Sequence, residues 1–461
     1  MVKDIKVLLV GGGIGSLTLA LLLERANIDY EIYERASEVK PLGSAITFGP
    51  GILATFKQLG IYDEYAANST IVIDAKTRNQ KGDIVMYNDY SMVEERYGMW
   101  SRVITRPTMY KILMDRIPSH KLHFSKKVVR TDQNAEGVML HFADGTTAHG
   151  DILVGADGAY STVRQCLYKQ LGIEGRLPAS DLESFPYEAI CLVGVTDPFP
   201  PGTFVHEKGP EYSRFEAMLS DDKRFMWVLF SMPDHSVAWM VITNQEGTSQ
   251  KADDPARFNA EWGPGAAESM TEFARNLPSP FGGKETMERF INATPKSRIS
   301  KIMLEEKIFD TWYDGRTVLL GDACHKLFPA AGQGGVCAMQ DAVALANALY
   351  AMPSNSPEDI EIAFEAYREE RWNFAKDAFD LSHNFGKVTR PSWTSALLLF
   401  VLQRLPQSLW VKQLDGLAGH RPQASFLPLY EHAGFVKPLP LTDFAKVMQD
   451  KRTKYGKLHR Q

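Results

Sequence analysis

The stretch that decides the fold is Ile5-Lys-Val-Leu-Leu-Val-Gly11-Gly-Gly13-Ile-Gly15-Ser16 near the start of the chain. The largely apolar run Ile5–Val10 predicts a strand that is buried on both faces of a parallel sheet. The glycines after it predict a tight turn into a helix rich in Leu and Ala, from Gly15 to about Ala26. Because Ile28–Tyr33 predicts a second strand, this segment forms one β-α-β unit.

The glycine turn has the composition of a phosphate-binding loop. Gly11, Gly13 and Gly15 let the backbone approach a pyrophosphate closely, and the N-terminus of the next helix stabilises its negative charge. Glu34 ends the second strand, where its carboxylate can accept hydrogen bonds from a ribose, and its charge disfavours a 2′-phosphate. Ser16 stands where the pattern has a third glycine. A glycine-rich turn without a ligand is the alternative, but strand, spacing, helix and Glu34 together favour a dinucleotide.

Two later segments predict similar strand-turn-helix corners. The strand Asp151–Val154 leads to Asp157-Gly158, followed by Ser161 as a helix N-cap. The strand Thr317–Leu320 leads to Gly321-Asp322, whose carboxylate can hold a polyol hydroxyl. A glycine-rich stretch then opens a helix from Gly334 to Tyr350, and its N-terminus can stabilise negative charge. Taken alone, each corner is also compatible with ordinary packing.

The composition narrows the class of protein. A chain of 461 residues predicts two or three domains, and 44% hydrophobic with 23% charged residues is typical of a globular protein. The net charge of −5 gives no support for nucleic-acid binding. Four scattered cysteines without a C-x-x-C pair favour neither a disulfide framework nor a zinc site, and they suit a reducing compartment. Because a strand already begins near Ile5, we expect no signal peptide.

The rest of the chain predicts an interleaved domain organisation. Ala189–Val195, Arg224–Ser231 and Ser236–Thr243 are rich in Val, Phe and Trp and predict an antiparallel sheet. We expect a discontinuous nucleotide-binding domain (1–75, 100–180 and 290–385), a sheet domain for the substrate (76–99 and 181–289) and a helical C-terminal region (386–461). The apolar run Ala396–Leu402 is too short to cross a bilayer, which leaves a buried helix or a helix on a membrane surface.

Together the three corners resemble the flavoprotein monooxygenase family to which aromatic-ring hydroxylases belong. The resemblance covers about 1–50, 100–165 and 315–350. Within this family the segment Gly321–Gly335 (GDACHKLFPAAGQGG) is most similar to fungal epoxidases and hydroxylases of indole-diterpene and meroterpenoid pathways. The resemblance implies an α/β fold, in which a Rossmann-type FAD-binding domain carries an inserted antiparallel-sheet substrate domain and a helical C-terminal region. From the cysteine usage we expect a cytoplasmic enzyme, with peripheral membrane contact through the C-terminal region left open.

The resemblance also implies roles for particular residues. Glu34 would bind the adenosine ribose, Arg106 would contact FAD near the pyrophosphate, and Asp157 would serve both FAD and the nicotinamide donor. Asp322 would hold the ribitol, and Gly335 would lie at the flavin. The loop Gly43–Thr47 resembles the family's segment that passes the flavin. The whole predicted FAD-binding set is Gly11, Gly13, Gly15, Glu34, Arg35, Thr47, Arg106, Asp157, Asp322, Pro329, Gly332, Gly334 and Gly335, and no metal site is predicted.

The implied reaction is oxygen insertion into a small apolar molecule. NADPH or NADH would dock transiently, and molecular oxygen would form a C4a-hydroperoxyflavin that hydroxylates or epoxidises an aromatic or prenylated substrate, in secondary metabolism. A phenol would need a base, whereas an alkene would need orientation and a proton donor. Tyr212 lies roughly where the related epoxidases place a tyrosine proposed to act in catalysis, and an ordinary sheet tyrosine is the alternative. His206 and Arg214 are polar neighbours, and Trp227 and Phe230 are candidate pocket walls.

Other functions on the same fold stay open at this point. A flavin-dependent reductase would give no oxygen-dependent product, and a halogenase usually carries W-x-W-x-I-P, which Met226–Pro233 does not match. An interaction module with FAD as a structural ligand would leave the extra sheet without a purpose. His325, although close to Asp322, is predicted to be structural.

Overall fold

The computed structural model describes residues 5–38, 43–183, 185, 187–222, 225–244, 268–329, 332–388 and 407–439. The apolar run Ala396–Leu402 lies outside these residues, so its placement stays a prediction. Among the described helices, none combines the length and the apolar character that crossing a membrane requires.

A six-stranded sheet forms the centre of the nucleotide-binding part. The strand Lys6–Val10 pairs in parallel with Asp29–Tyr33 on one side and with Ile152–Gly155 on the other. This confirms the predicted β-α-β unit. From edge to edge the strands are Tyr313–Asp314, Thr317–Leu319, Ile152–Gly155, Lys6–Val10, Asp29–Tyr33 and Leu122–His123. Within this sheet only the edge strand Tyr313–Asp314 runs antiparallel to its neighbour, Thr317–Leu319.

Two buried helices lie together beside this sheet. The glycine helix (Ile14–Ala26) follows the first strand, and the central helix (Gly334–Ala351) packs along it. Both helices are almost entirely buried, because they are rich in Leu, Ala and Val on every side. The long helix (Pro357–Val388) then packs on the central helix. The other described α-helices are Pro50–Leu59, Tyr62–Ala67, Val93–Tyr97, Arg106–Met114, Thr162–Ile173, Ala179–Leu182, Glu268–Arg275, Glu288–Asn292 and Gln407–Gly419.

A seven-stranded sheet forms the second large layer. Its order is Ser300–Glu305, Tyr187–Val195, Val237–Asn244, Phe225–Ser231, Phe215–Leu219, Asp74–Arg78 and Ile84–Asp89. The three strands predicted between 189 and 243 are therefore present. One pairing departs from the predicted antiparallel pattern, because Asp74–Arg78 runs parallel to Phe215–Leu219. The two strands are far apart in sequence, so no turn between them forces an antiparallel return. The division into domains at the residues given above stays a prediction.

The two faces of this sheet have different neighbours. Side chains that include Trp227, Leu229 and Trp239 pack with the helices Glu268–Arg275 and Glu288–Asn292, and we call this the helix-covered face. Alternate residues point the other way, as the pleat requires. These form the inner face, which consists of the two apolar clusters that contain Ala45 and Phe328; its sheet residues are Ala189, Cys191, Val193, Val195, Phe215, Ala217, Met226, Val228, Phe230, Ala238, Met240, Ile242, Ile302 and Leu304.

Smaller elements complete the described fold. One three-stranded sheet consists of the strands Val128–Gln133, Val138–Phe142 and Thr147–Gly150. A second contains Ala45–Phe48, Arg102–Thr105 and Thr70–Ile71, and a two-stranded ladder joins Lys307–Ile308 to His325–Lys326. The 3-10 helices are Ser119–Lys121, Lys296–Arg298 and Gly321–Ala323.

Candidate cofactor site

The glycine turn requires glycine at two positions for different reasons. Gly11 has φ +97°, and a Cβ there would lie 2.5 Å from the carbonyl oxygen of Ala156. Gly15 lies inside the glycine helix, where a Cβ would come within 2.7 Å of Leu320 and 3.1 Å of Ala338. The first glycine therefore shapes the turn, and the second lets the glycine helix and the central helix approach each other closely.

Glu34 organises the turn from the end of the second strand. Its carboxylate accepts the backbone N–H of Gly12 at 2.7 Å and that of Ala36 at 2.8 Å. The hydroxyl of Tyr110 lies beside it, since a Cβ on Gly12 would be 3.2 Å from both side chains. Burial, reinforced by the charge of Glu34, raises the pKa of Tyr110, so this hydroxyl stays protonated. Arg35 follows Glu34 and is exposed.

The N-termini of the glycine helix and the central helix lie side by side. A Cβ on Gly335 would be 2.9 Å from Ile14, which is the first residue of the glycine helix. The N-cap residues are Gly13 and Gln333, and no side-chain hydrogen bond from either residue caps its helix within the described structure. Two uncapped N-termini place free N–H groups and positive dipole ends together, as binding of a diphosphate and an electron-rich ring requires.

A buried hydroxyl adds to this fit. Ser16 is 1% exposed, and its Oγ has no hydrogen-bond partner among the described residues. It lies in the first turn of the glycine helix, on the segment predicted to approach the phosphates. A bound phosphate would supply the missing acceptor. The donor set of the two helix ends therefore fits the pyrophosphate of FAD.

Arg106 and Asp322 approach the same region from different elements. The N–H of Arg106 donates to the carbonyl of Ser44 at 2.8 Å, and its side chain packs against Gly43. Burial alone would raise the pKa of Asp322, but Lys326 at 2.7 Å, with further help from Arg106, holds that pKa below its usual value. Asp322 is therefore ionised at neutral pH and can accept a hydrogen bond from a ribitol hydroxyl.

Asp157 is engaged with the helix that follows it. Its carboxylate accepts the Ser161 hydroxyl at 2.5 Å and the Thr162 N–H at 2.7 Å. Burial raises the pKa of Asp157 despite these hydrogen bonds. Arg164 donates to the carbonyls of Ala159 and Ala323, so it ties this turn to the turn that carries Asp322.

A buried ion-pair network lies beneath the Asp322 turn. Asp341 accepts the N–H of Gly321 at 3.0 Å, the Nε2 of His325 at 2.6 Å and the Nε of Arg371 at 2.7 Å. Burial opposes a charge on His325, but the neighbouring Asp341 carboxylate raises its pKa well above the usual value. This agrees with the structural role predicted for His325. The Cys324 thiol lies within 4.8 Å of the same ligand atoms, but the donors around Asp341 already account for both carboxylate oxygens.

The remaining predicted FAD residues lie on the surrounding loops. Thr47 pairs with Val103 in the strand Ala45–Phe48. Pro329 is exposed, Gly332 has φ +63°, and a Cβ on Gly334 would meet no atom within 4 Å. Residues 330 and 331, between them, are outside the described structure. Tyr110 and Arg371 were not predicted. Tyr110 falls one helical turn after Arg106, which was the available signal.

The ring of Tyr212 lies beside the buried His206–Asp74 pair. Its ring is 5.9 Å from that of His206, whose Nε2 is 3.3 Å from the Asp74 carboxylate. Arg214 pairs with Glu216 at 2.7 Å and also donates to the carbonyl of Phe281, on the helix-covered face. The catalytic role of Tyr212 stays a prediction.

The candidate pocket walls divide between the two faces of the seven-stranded sheet. Phe230 belongs to the inner face. Trp227 belongs to the helix-covered face, and its Nε1 donates to the carbonyl of Pro278 at 2.7 Å. Of the two predicted walls, only Phe230 therefore lies on the side of the FAD segments.

The fold and the cofactor site together define an FAD-binding flavoprotein. A family model described as an FAD binding domain matches residues 4–382, and the chain belongs to this family. It is 28% identical to the FAD-dependent monooxygenase ausM of Emericella nidulans, over 94% of this chain and 88% of that protein. It is 29% identical to paxM of Penicillium paxilli, also an FAD-dependent monooxygenase, over 80% and 76%. The protein is accordingly an FAD-dependent monooxygenase, an oxidoreductase.

A solved structure supports the fold. A variant of HpxO from Klebsiella pneumoniae, complexed with FAD, superposes with a TM-score of 0.72 at 20% identity. The alignment covers 91% of this chain and all of that one. This confirms the predicted fold class, in which a Rossmann-type sheet and a second large sheet share one chain.

Proposed function

We propose that the protein uses reduced FAD and molecular oxygen to hydroxylate or epoxidise an uncharged, apolar aromatic or prenylated substrate. NADPH or NADH supplies two electrons. In the balanced reaction, substrate, O2, NAD(P)H and a proton give oxygenated substrate, NAD(P)+ and water. One oxygen atom enters the substrate and the other leaves as water.

The inner face carries this proposal. Two FAD-motif segments, represented by Ala45 and Phe328, pack against the sheet where Val228, Phe230 and Met240 point toward them. Most sheet side chains on this face are apolar; Cys191 adds a thiol that burial keeps protonated by raising its pKa to about 12, and Ser300, which pairs with Val193, adds a buried hydroxyl. Burying a charged substrate group against such a surface would be costly. Apolar rings and prenyl chains are the chemistry that fits it.

Different residues of the chain would bind different parts of FAD. The paired helix N-termini hold the diphosphate, Glu34 holds the adenosine ribose and Asp322 holds the ribitol. The Asp341 network fixes the turn that carries Asp322, because it accepts the Gly321 N–H. Bound and reduced FAD supplies the activation of oxygen. The inner face orients the substrate and excludes water from the reaction.

Tyr212 is retained as a proposed proton donor to the departing hydroxide. Support comes from the contact of its ring with His206, a buried imidazole that pairs with Asp74. Replacement of Tyr212 by phenylalanine removes the phenolic hydroxyl and its proton but keeps the aromatic ring. A Tyr212→Phe protein that converts substrate at the wild-type rate across the pH profile would remove Tyr212 from the mechanism.

Labelled oxygen tests the proposed reaction. The purified FAD-bound protein is reduced anaerobically with NADPH and mixed with 18O2 and a panel of prenylated aromatic compounds. We expect products that gain one 18O atom, detected by mass spectrometry, and NADPH oxidation that depends on the substrate. The Asp322→Ala protein, depleted of FAD, is the control. A reduced product without oxygen would instead assign a reductase, and halide incorporation would assign a halogenase.

A further inference from the structure

Two aromatic residues from distant parts of the chain meet at the edge of the inner face. Tyr90 follows the strand Ile84–Asp89 and packs against the apolar cluster that contains Ala45. Trp410 belongs to the helix Gln407–Gly419. The two ring centroids are 6.1 Å apart, and the ring planes are inclined by 58°. The C-terminal helix therefore reaches the side of the sheet against which the FAD segments pack.

The indole N–H of Trp410 has no protein acceptor in the described structure, and the phenol of Tyr90 lies beside it. The Nε1 of Trp410 is shielded from solvent and has no partner among the described residues. Burial raises the pKa of Tyr90 to about 12, so its phenol keeps the proton at neutral pH. An indole N–H can only donate, so the partner that completes this site has to be an acceptor.

We propose that Tyr90 and Trp410 form a subsite that binds an uncharged acceptor oxygen, a carbonyl or hydroxyl, on the otherwise apolar substrate. Their apolar neighbours, which include Phe215 and Met226, disfavour a carboxylate or phosphate there. The subsite rests on the proposed function, and it adds to it a polar contact that selects among apolar compounds. An unpaired buried donor rejects a compound that lacks the acceptor.

A matched pair of probes tests the subsite. The FAD-bound protein is titrated with the methyl ester of a geranylated benzoic acid and with geranylated ethylbenzene, which has the same tail but no acceptor oxygen. Binding is followed by the change in visible flavin absorbance. We expect the wild type to bind the ester about tenfold more tightly. Tyr90→Phe and Trp410→Phe each reduce this preference about threefold, and the double variant abolishes it.

Tyr87→Phe is the matched control. Tyr87 lies on the strand Ile84–Asp89, shortly before Tyr90, but its hydroxyl donates to Asp74, so we expect the preference to stay at the wild-type value. FAD content and thermal unfolding are measured for every variant, and Tyr90→Phe alone decides the test if Trp410→Phe unfolds. Equal affinity of the wild type for both probes would overturn the subsite and leave the proposed function standing. If neither probe changes the flavin absorbance, the proposed substrate class is overturned, and the subsite with it.

Discussion

Glu34 is the residue on which the adenosine end of the site depends. Its carboxylate accepts two backbone N–H groups, from Gly12 and Ala36, and a hydrogen bond to a charged group contributes about 1.5–3 kcal/mol. We expect Glu34→Ala to weaken FAD binding about 10- to 100-fold. Titration of the apoprotein with FAD, followed by quenching of flavin fluorescence, measures the change.

The control for this prediction lies on the same strand. Glu31 belongs to Asp29–Tyr33, and its carboxylate pairs with Lys6 and Tyr33 rather than with the glycine turn. Glu31→Gln should therefore bind FAD as the wild type does. Equal affinities of the Glu34→Ala and wild-type proteins would show that the turn does not need this carboxylate.

His420 predicts a pH dependence of stability. Burial lowers its pKa to about 4, and its Nδ1 accepts a hydrogen bond from Arg371 at 2.8 Å. Below its unfolded pKa of 6.5 the unfolded chain takes up a proton that the folded protein resists. The free energy of unfolding should therefore fall as the pH drops from 6.5 to about 4, by up to about 3 kcal/mol, and should then level off.

Denaturant titrations at several pH values test this prediction. His420→Gln keeps an acceptor for Arg371 but has no proton to gain, so its unfolding free energy should fall less over the same window. His120→Gln, at an exposed position, should retain the wild-type slope. An identical slope in His420→Gln would mean that His420 does not carry this part of the pH dependence.

The sequence suggests the residues of the proposed cofactor site but not the partners that hold them in place. The glycines, Glu34 and Asp322 belong to short local patterns whose spacing follows from the chemistry of a nucleotide. Arg371 pairs with Asp341 across two helices, and Tyr90 meets Trp410 only in the folded chain. Such contacts depend on how the elements pack, and no local spacing encodes them.

The observed helices and strands agree closely with those predicted from the hydrophobic periodicity of the sequence. The glycine helix, the central helix and three strands of the seven-stranded sheet were predicted to within a few residues. The parallel pairing of Asp74–Arg78 with Phe215–Leu219 was missed, because a pairing between distant strands leaves no turn signal in the sequence. The same limit applies to the side-by-side N-termini of the two buried helices, which only their packing creates.

Gly15 tests how the two buried helices depend on each other. A Cβ there would lie 2.7 Å from Leu320 and 3.1 Å from the backbone oxygen of Ala338, which cannot yield without moving the central helix. We expect Gly15→Ala to destabilise the protein by about 1–3 kcal/mol and to weaken FAD binding. Denaturant titration and FAD titration measure the two effects.

A second helical glycine supplies the matched control. Gly172 lies in Thr162–Ile173, where an added Cβ would meet nothing within 4 Å. Gly172→Ala should be neutral or stabilising by up to about 1 kcal/mol, because alanine favours the helix. If Gly15→Ala behaved in the same way, the close approach of the two helices would not matter for the site.

At the scale of the whole molecule, one ion pair holds the C-terminal helix to the rest of the chain. Arg96 binds both carboxylate oxygens of Asp415, at 2.7 and 2.9 Å, and the Tyr97 hydroxyl donates to the same carboxylate at 2.7 Å. Asp415 lies on the helix that carries Trp410. This contact therefore fixes a helix that would form one wall of the substrate chamber, by which we mean the proposed substrate site at the inner face.

If the helix Gln407–Gly419 is held less firmly, the protein should still form product, but more of the NADPH should be oxidised without oxygen transfer to the substrate. In Arg96→Met the helix Gln407–Gly419 loses its bidentate partner, water reaches the chamber, and NADPH is oxidised without oxygen transfer. We expect the ratio of product formed to NADPH consumed to fall about 2- to 10-fold, since a partly exposed bidentate pair contributes about 1 kcal/mol. Hydrogen peroxide should rise correspondingly, and FAD content should stay constant because Arg96 pairs with Asp415 rather than with an FAD segment.

Lys111→Met, which removes the exposed pair with Asp115, should keep the wild-type ratio. Unchanged coupling in Arg96→Met would mean that the C-terminal helix does not close the chamber.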